Sequence, residues 1–153
     1  MRKEQIFEII MQGDPSDIVA LAARMRQSVQ HHVTKPPQQE LVMFQVEESV
    51  EKIDFNVGEV LVTSAEVRVA DAIGFSMIMD TDKQKALDCA LLMGIYEAGF
   101  PQMTEVENLA ELLQRKMTRQ LQEEREIISS TRVNFEVMGG QDPNIAHNVA
   151  KEQ

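Results

Sequence analysis

Tryptophan is absent from this chain, tyrosine occurs once, and aromatic residues together make up only 5% of its 153 residues. Any core must therefore be built from aliphatic side chains and methionine, of which there are 10. Flexible thioethers fill irregular gaps in cores and also suit adaptable binding faces. A single cysteine, Cys89, excludes an intrachain disulfide and fits a reducing compartment. Positive charge is scarce as well. Lys and Arg number 15 against 25 Asp and Glu, a formal net charge of -10. Phosphate backbones release their counterions to Lys/Arg patches, so nucleic acid and anionic membranes are not the expected partners. No run approaches the ~20 apolar residues of a membrane span. The short apolar run Ile6 to Met11 is interrupted by Glu8 and followed by no cleavage-site pattern, unlike a signal peptide. The expectation is a cytoplasmic protein.

Known catalytic signatures are missing too. There is no Gly-x-x-x-x-Gly-Lys and no Gly-x-Gly-x-x-Gly to cradle phosphates, and Ser64, Ser76 and Ser129-Ser130 lack the context of a nucleophile elbow. His31-His32 are adjacent, a spacing that does not by itself set two imidazoles around one ion. No Cys or further His lies nearby to complete a tetrahedral site, so no metal is expected. Cys89 sits among small and apolar neighbours and reads as a buried hydrophobe rather than a nucleophile.

What is present is a clear pattern of elements. The length fits one domain, since domains cluster near ~100–150 residues. Ile6, Phe7, Ile9, Ile10 and Met11 predict a first short helix ending near Gly13. Asp14-Pro15 then opens a second, because an aspartate accepts free backbone N–H groups and proline fits the first helical position. Its apolar face is Ile18, Leu21, Ala22, Met25 and Val29. This helix pair is reminiscent of a DNA-reading motif, but the second helix carries only Arg24 and Arg26 in an acidic chain. Lys35-Pro36-Pro37 predicts a connector.

From Glu40 to Met79 the period changes to two. Leu41 to Val46 is apolar in both registers, which predicts a strand covered on both faces. Ile53, Phe55 and Val57 form a short alternating piece running into Gly58, and Val60 to Val69 forms a longer one. The join Ala70 to Gly74 predicts a hairpin in which Gly74 supplies an unusual backbone angle or a bulge, and Phe75 to Met79 is the return strand. Short joins favour an antiparallel meander. Asp80-Thr81-Asp82 caps a helix running to Ala98, closed by Gly99 and Pro101. A long helix starts at Thr104, with Glu107 at capping-box spacing and an apolar stripe that thins beyond Leu121. Val133, Phe135 and Val137 alternate from Ser129 to Met138 as a short final strand. The predicted fold is thus α+β: an antiparallel meander packed with helices, two helices before it, a long helix and a short strand after it. Residues 1–140 form one domain, and residues 141–153 a polar, loose tail.

For chemistry the residues offer only candidate anion or interface contacts: Arg68 near a strand end, Lys83 at a helix start, and Arg132 before the last strand. A helix N-terminus at Asp82-Lys83 is the kind of place where phosphate binds. On its own, the chain does not read as an enzyme.

Several separated blocks resemble the PhnG family. Gly58, Thr63, Ala65, Val67 and Arg68 match that family's Gly-x-x-x-x-Thr-Arg-Ala-x-Val-Arg strand. Gly74-Phe75 matches its hairpin return, Asp82-Lys83-Gln84 to Cys89-Ala90-Leu91 its helix entry, and Thr131-Arg132-Val133 with Phe135 its close. Ser64 stands where the family tends to place Arg, Asp80 where Gly is common, and Glu136 where a second aromatic is usual. The resemblance implies an accessory subunit of the bacterial carbon–phosphorus lyase system. Its partners would be subunits of the PhnI, PhnH and PhnJ types together with a PhnL-type protein. These support transfer of a phosphonate onto the anomeric carbon of the ribose of ATP, releasing adenine. ATP and phosphonate would be substrates of the complex, with no cofactor bound by this chain alone. A different class remains open on the residues themselves: a homodimeric helical scaffold or adaptor seamed along the helix from Thr104.

Overall fold

A computed structural model describes residues 1–48 and 50–131 of the protein. The expected final strand, Gly139-Gly140 and the expected tail lie outside the described residues, as does Arg132. The chain divides into two compact units, Met1–Gln120 and Leu121–Gln153.

In the first unit α1 (Lys3–Gln12) and α2 (Pro15–Ser28) precede three strands, β1 (His31–Glu47), β2 (Asp54–Val69) and β3 (Ala72–Ile78). Helix α3 (Lys83–Glu97) follows, and then α4 (Met103–Ser130), which continues past this unit. The order and the antiparallel β1-β2-β3 meander are those expected of the α+β pattern. Asp14 caps α2 as its type and position predict, accepting the Ser16 N–H at 2.8 Å, with Pro15 at the first helical position.

The core lies between the sheet and the helices. On β2, Ala65, Val67 and Val69 alternate inward and are buried, while Arg68 between them is exposed. On β3 the inward set is Gly74, Ser76 and Ile78. Two of these are small, so α3 comes close. Ser76 Oγ donates to the Ala86 carbonyl at 2.6 Å. Ala86, Cys89, Ala90, Leu91, Leu92, Met93 and Ile95 are all buried, which makes α3 a helix enclosed on nearly every side. Each fully buried Leu or Ile contributes about 1.5–3 kcal/mol relative to exposure. Phe7 of α1 meets Tyr96 of α3 edge to face, with ring centroids 5.5 Å apart. From α4 the core receives Val106, Leu109, Ala110 and Leu113.

Five expectations need correction. Lys35-Pro36-Pro37 is not a connector but part of β1. An edge strand tolerates prolines that cannot donate, and the pairing with β2 shifts register between Val33 and Lys35 and again between Lys35 and Gln38. Nor is β1 covered on both faces: Leu41 is 64% exposed, and Met43 and Phe44 are about half exposed. The reason is length. β3 pairs with β2 only as far as Thr63, so the stretch from Asp54 to Val62 pairs with β1 alone, in a two-stranded ribbon that leaves the body of the sheet. The hairpin turn is Ala70-Asp71, with Ala70 at φ 52°, whereas Gly74 sits inside β3 in an unbroken ladder opposite Val67. At the start of α4, which begins at Met103, the Glu107 carboxylate accepts from Tyr96 Oη at 3.5 Å. Finally, Ser129 and Ser130 are helical rather than extended.

The second unit, over its described part, is the end of α4. There Leu121, Ile127 and Ile128 are exposed.

Candidate functional site

Where β2 ends and β1 begins, four parts of the fold meet around a cavity of about 560 Å³. The end of α2 and the residues after it bring Ser28 to Gln30. The first residues of β1 bring His31 and His32. Arg68 comes from β2, and Phe100 and Gln102 from the α3–α4 link. His32 and Arg68 are direct cross-strand partners in the β1–β2 ladder. Side chains at such positions share a face, with Cβ atoms ~5 Å apart. His31 Nδ1 lies 2.9 Å from the Val29 carbonyl oxygen. A carbonyl only accepts, so Nδ1 carries the proton and Nε2 is left turned to other partners. None of the lining residues is acidic.

Lys83 is elsewhere. It is the first residue of α3 and is exposed, and the cap of that helix, Asp82, accepts from the Lys85 N–H at 3.0 Å, which sets a carboxylate where an anion would sit. Along the β2–β3 ladder Arg68 pairs with Ile73, whereas the strand leading to Lys83 ends at the Thr63–Ile78 pair. Five residues of strand separate those rungs, roughly 17 Å. Arg68 and Lys83 therefore do not form one site. The third candidate, Arg132, lies outside the described residues.

A family model described as phosphonate metabolism protein PhnG matches residues 1–140 of the chain. The chain belongs to the PhnG family. Its role is accordingly in phosphonate metabolism. None of the curated proteins matches it.

In this PhnG-family chain Ser64, standing in place of the common Arg, is fully buried between Gln38 of β1 and Met77 of β3. A guanidinium in that position would need a partner or a different local packing. Among the described residues no three His, Cys, Asp or Glu side chains gather to hold a metal ion, and no helix is long and apolar enough to cross a membrane. Cys89 is fully buried against α1, and burial pushes its thiol up to about 12. That leaves almost no thiolate at neutral pH.

One ionic feature of the core lies outside these candidates. Asp88, on α3, is fully buried and forms an ion pair with Arg26 of α2. Gln84 Nε2 donates to the same carboxylate at 2.9 Å. An aspartate inside the run Ala86 to Leu92 was the available signal, because a carboxylate on an enclosed helix must find a cation. Its location next to α2 makes it a brace between two helices, well inside the fold. His31, Phe100 and Gln102 were also unseen as partners of Arg68, because they come from segments far apart in the chain.

Proposed function

We propose that this protein is a subunit of the carbon–phosphorus lyase core complex in organic phosphonate catabolism. In that role it is a non-autonomous part of the α-D-ribose 1-methylphosphonate 5-triphosphate synthase, which transfers phosphonate to the ribose anomeric carbon of ATP and releases adenine. It acts mainly by offering surface to neighbours of the PhnI, PhnH and PhnJ types, alongside a PhnL-type protein, in the cytoplasm.

The observation that carries this reading is the β1–β2 ribbon. Leu41, Met43, Phe44, Phe55 and Val57 stand exposed along it, and Val50 near its tip is 82% exposed. Outer-face residues Ile73, Phe75 and Met77 of β3 are exposed as well. Exposed apolar side chains gathered in this way support a partner-binding face. Among the described residues neither edge of the distal ribbon pairs with a further strand, which suits strand addition by a partner. Glu40, Glu47, Glu48, Glu51, Asp54 and Glu59 surround the same stretch, so a partner with an apolar face rimmed by Lys and Arg fits best.

Light scattering on the chain alone and after co-expression with PhnH, PhnI and PhnJ tests the proposal. A stable multi-subunit peak containing this chain is expected, and Leu41→Glu with Phe55→Glu should remove the chain from that peak while leaving its own fold intact. A self-contained homodimer that ignores those partners would overturn the assignment and favour a scaffold or adaptor.

A further inference from the structure

We propose that the cavity between His32, Arg68 and Phe100 binds an organic phosphate or phosphonate, its tetrahedral oxyanion held by Arg68 and its organic portion resting on Phe100. The inference is independent of which subunits surround the chain.

Charge is the first ground. In a protein of net charge -10 carboxylates outnumber cations, and the described ion pairs occupy Lys3, Arg24, Arg26, Lys35, Arg115 and Lys116. Arg68 has no ion-pair partner among the described residues. The residue directly opposite it is His32, itself capable of positive charge. An anion lying between them would meet a guanidinium on one side and an imidazole N–H donor on the other. Arg offers a planar fork that matches two oxygens of a phosphoryl or phosphonyl group at once.

Donors and shape are the second ground. Around Arg68 and His32 the lining adds the Ser28 hydroxyl, the Gln30 and Gln102 amides and the His31 ring, with no Asp or Glu among them. The apolar part of the lining is Val29, Ala70 and Phe100. A volume of about 560 Å³ lies within the ~300–1,000 Å³ of small-molecule sites and exceeds what a bare oxyanion fills. An ester or a carbon-linked phosphonate uses both halves of that lining.

Calorimetric titration with inorganic phosphate, phenyl phosphate and phenylphosphonate tests this on the full chain. The two phenyl compounds should bind saturably and at least about threefold more tightly than inorganic phosphate, the share that stacking on Phe100 supplies. Comparing them with each other distinguishes a phosphate ester from a carbon–phosphorus compound as the better ligand, and either preference supports the site. Arg68→Gln should weaken both by about tenfold or more. Its side chain is exposed, so its melting temperature should stay that of the parent and serve as the folding control. No saturable binding below about 10 mM, or binding that Arg68→Gln leaves unchanged, would overturn the site. Inorganic phosphate binding as tightly as the phenyl compounds would overturn the place given to the organic portion.

Discussion

Strand β3 and helix α3 approach each other closely at Gly74, and a single methyl group tests it. A Cβ built on Gly74 overlaps the Ala90 carbonyl oxygen and the Gly94 nitrogen, and lies 2.7 Å from Gly94 Cα. All three are backbone atoms of an enclosed helix, so no side chain can swing away to make room. Overpacking of this kind costs about 3 kcal/mol when the neighbours cannot yield. Against it stands the smaller conformational freedom of alanine in the unfolded chain, which returns up to ~1 kcal/mol. The net loss for Gly74→Ala is therefore about 2 kcal/mol, a large share of a typical stability of ~5–15 kcal/mol. For a domain of this size the corresponding fall in melting temperature is roughly 7 °C. Gly58 is the internal control. It too lies in a strand, but a Cβ there meets nothing within 4 Å. Gly58→Ala should be neutral or stabilising by up to ~1 kcal/mol. Calorimetric melts of the two variants decide the matter. If Gly74→Ala melts within about 2 °C of the parent, the sheet and α3 are not in the contact described, and the role given to the small residues of β3 is wrong.

Three other outcomes are expected. Asp88→Ala strands the Arg26 charge and should cost about 3 kcal/mol in urea unfolding, at the lower end for a broken buried pair because Arg26 keeps some solvent access. Asp88→Leu combined with Arg26→Met should recover most of that loss, and a double variant as unstable as Asp88→Ala would show the charge pair is not the cause. Cys89 should resist thiol-specific reagents in the native protein at neutral pH and react at once in denaturant, whereas rapid native labelling would contradict its burial. Because its thiol titrates near 12 when folded against 9.0 ordinarily, the neutral form is favoured by folding. Its contribution is intact below pH 9.0 and is lost as pH climbs toward 12, so Cys89→Ala should flatten the alkaline limb of a stability–pH curve.

The caps and periods of the chain carried the element order well. Asp14-Pro15 and Asp82 mark helix starts through local hydrogen bonds, and local chemistry is what a sequence displays directly. Alternation in Val60 to Val69 located β2 for the same reason. The failures share a cause. Apolar residues on both faces of Leu41 to Val46 look like a strand in mid-sheet, because sequence reports what a side chain prefers and not whether this chain itself supplies the cover. Pro36-Pro37 looks like a break unless the strand is known to lie at an edge. Gly74 looks like a turn residue, although its reason is the passage of α3 at a distance no pattern encodes. Of the candidate site, Arg68 was visible and its surroundings were not, since the cavity is assembled by tertiary contact between the end of α2, the start of β1 and the Phe100–Gln102 link.

The two-sided apolar character of the β1–β2 ribbon also bears on how the chain finds its native alignment. In most hairpins a slip by one residue turns the greasy side outward, and the penalty keeps the strands in step. Here Leu41 faces Leu61, Val42 faces Val60 and Val46 faces Phe55, so a shifted alignment trades one apolar pair for another. The distal ribbon is then self-correcting only weakly. What pins it is polar and sparse: the Gln45–Asn56 side-chain bond at 2.9 Å, and the loop hydrogen bond from the Glu48 N–H to the Ile53 carbonyl at 3.1 Å. A neighbour that grips this ribbon would act as a proofreader of its alignment. Left uncovered, the same loosely specified pairing is open to a second copy, so self-adhesion of the chain would start at this ribbon.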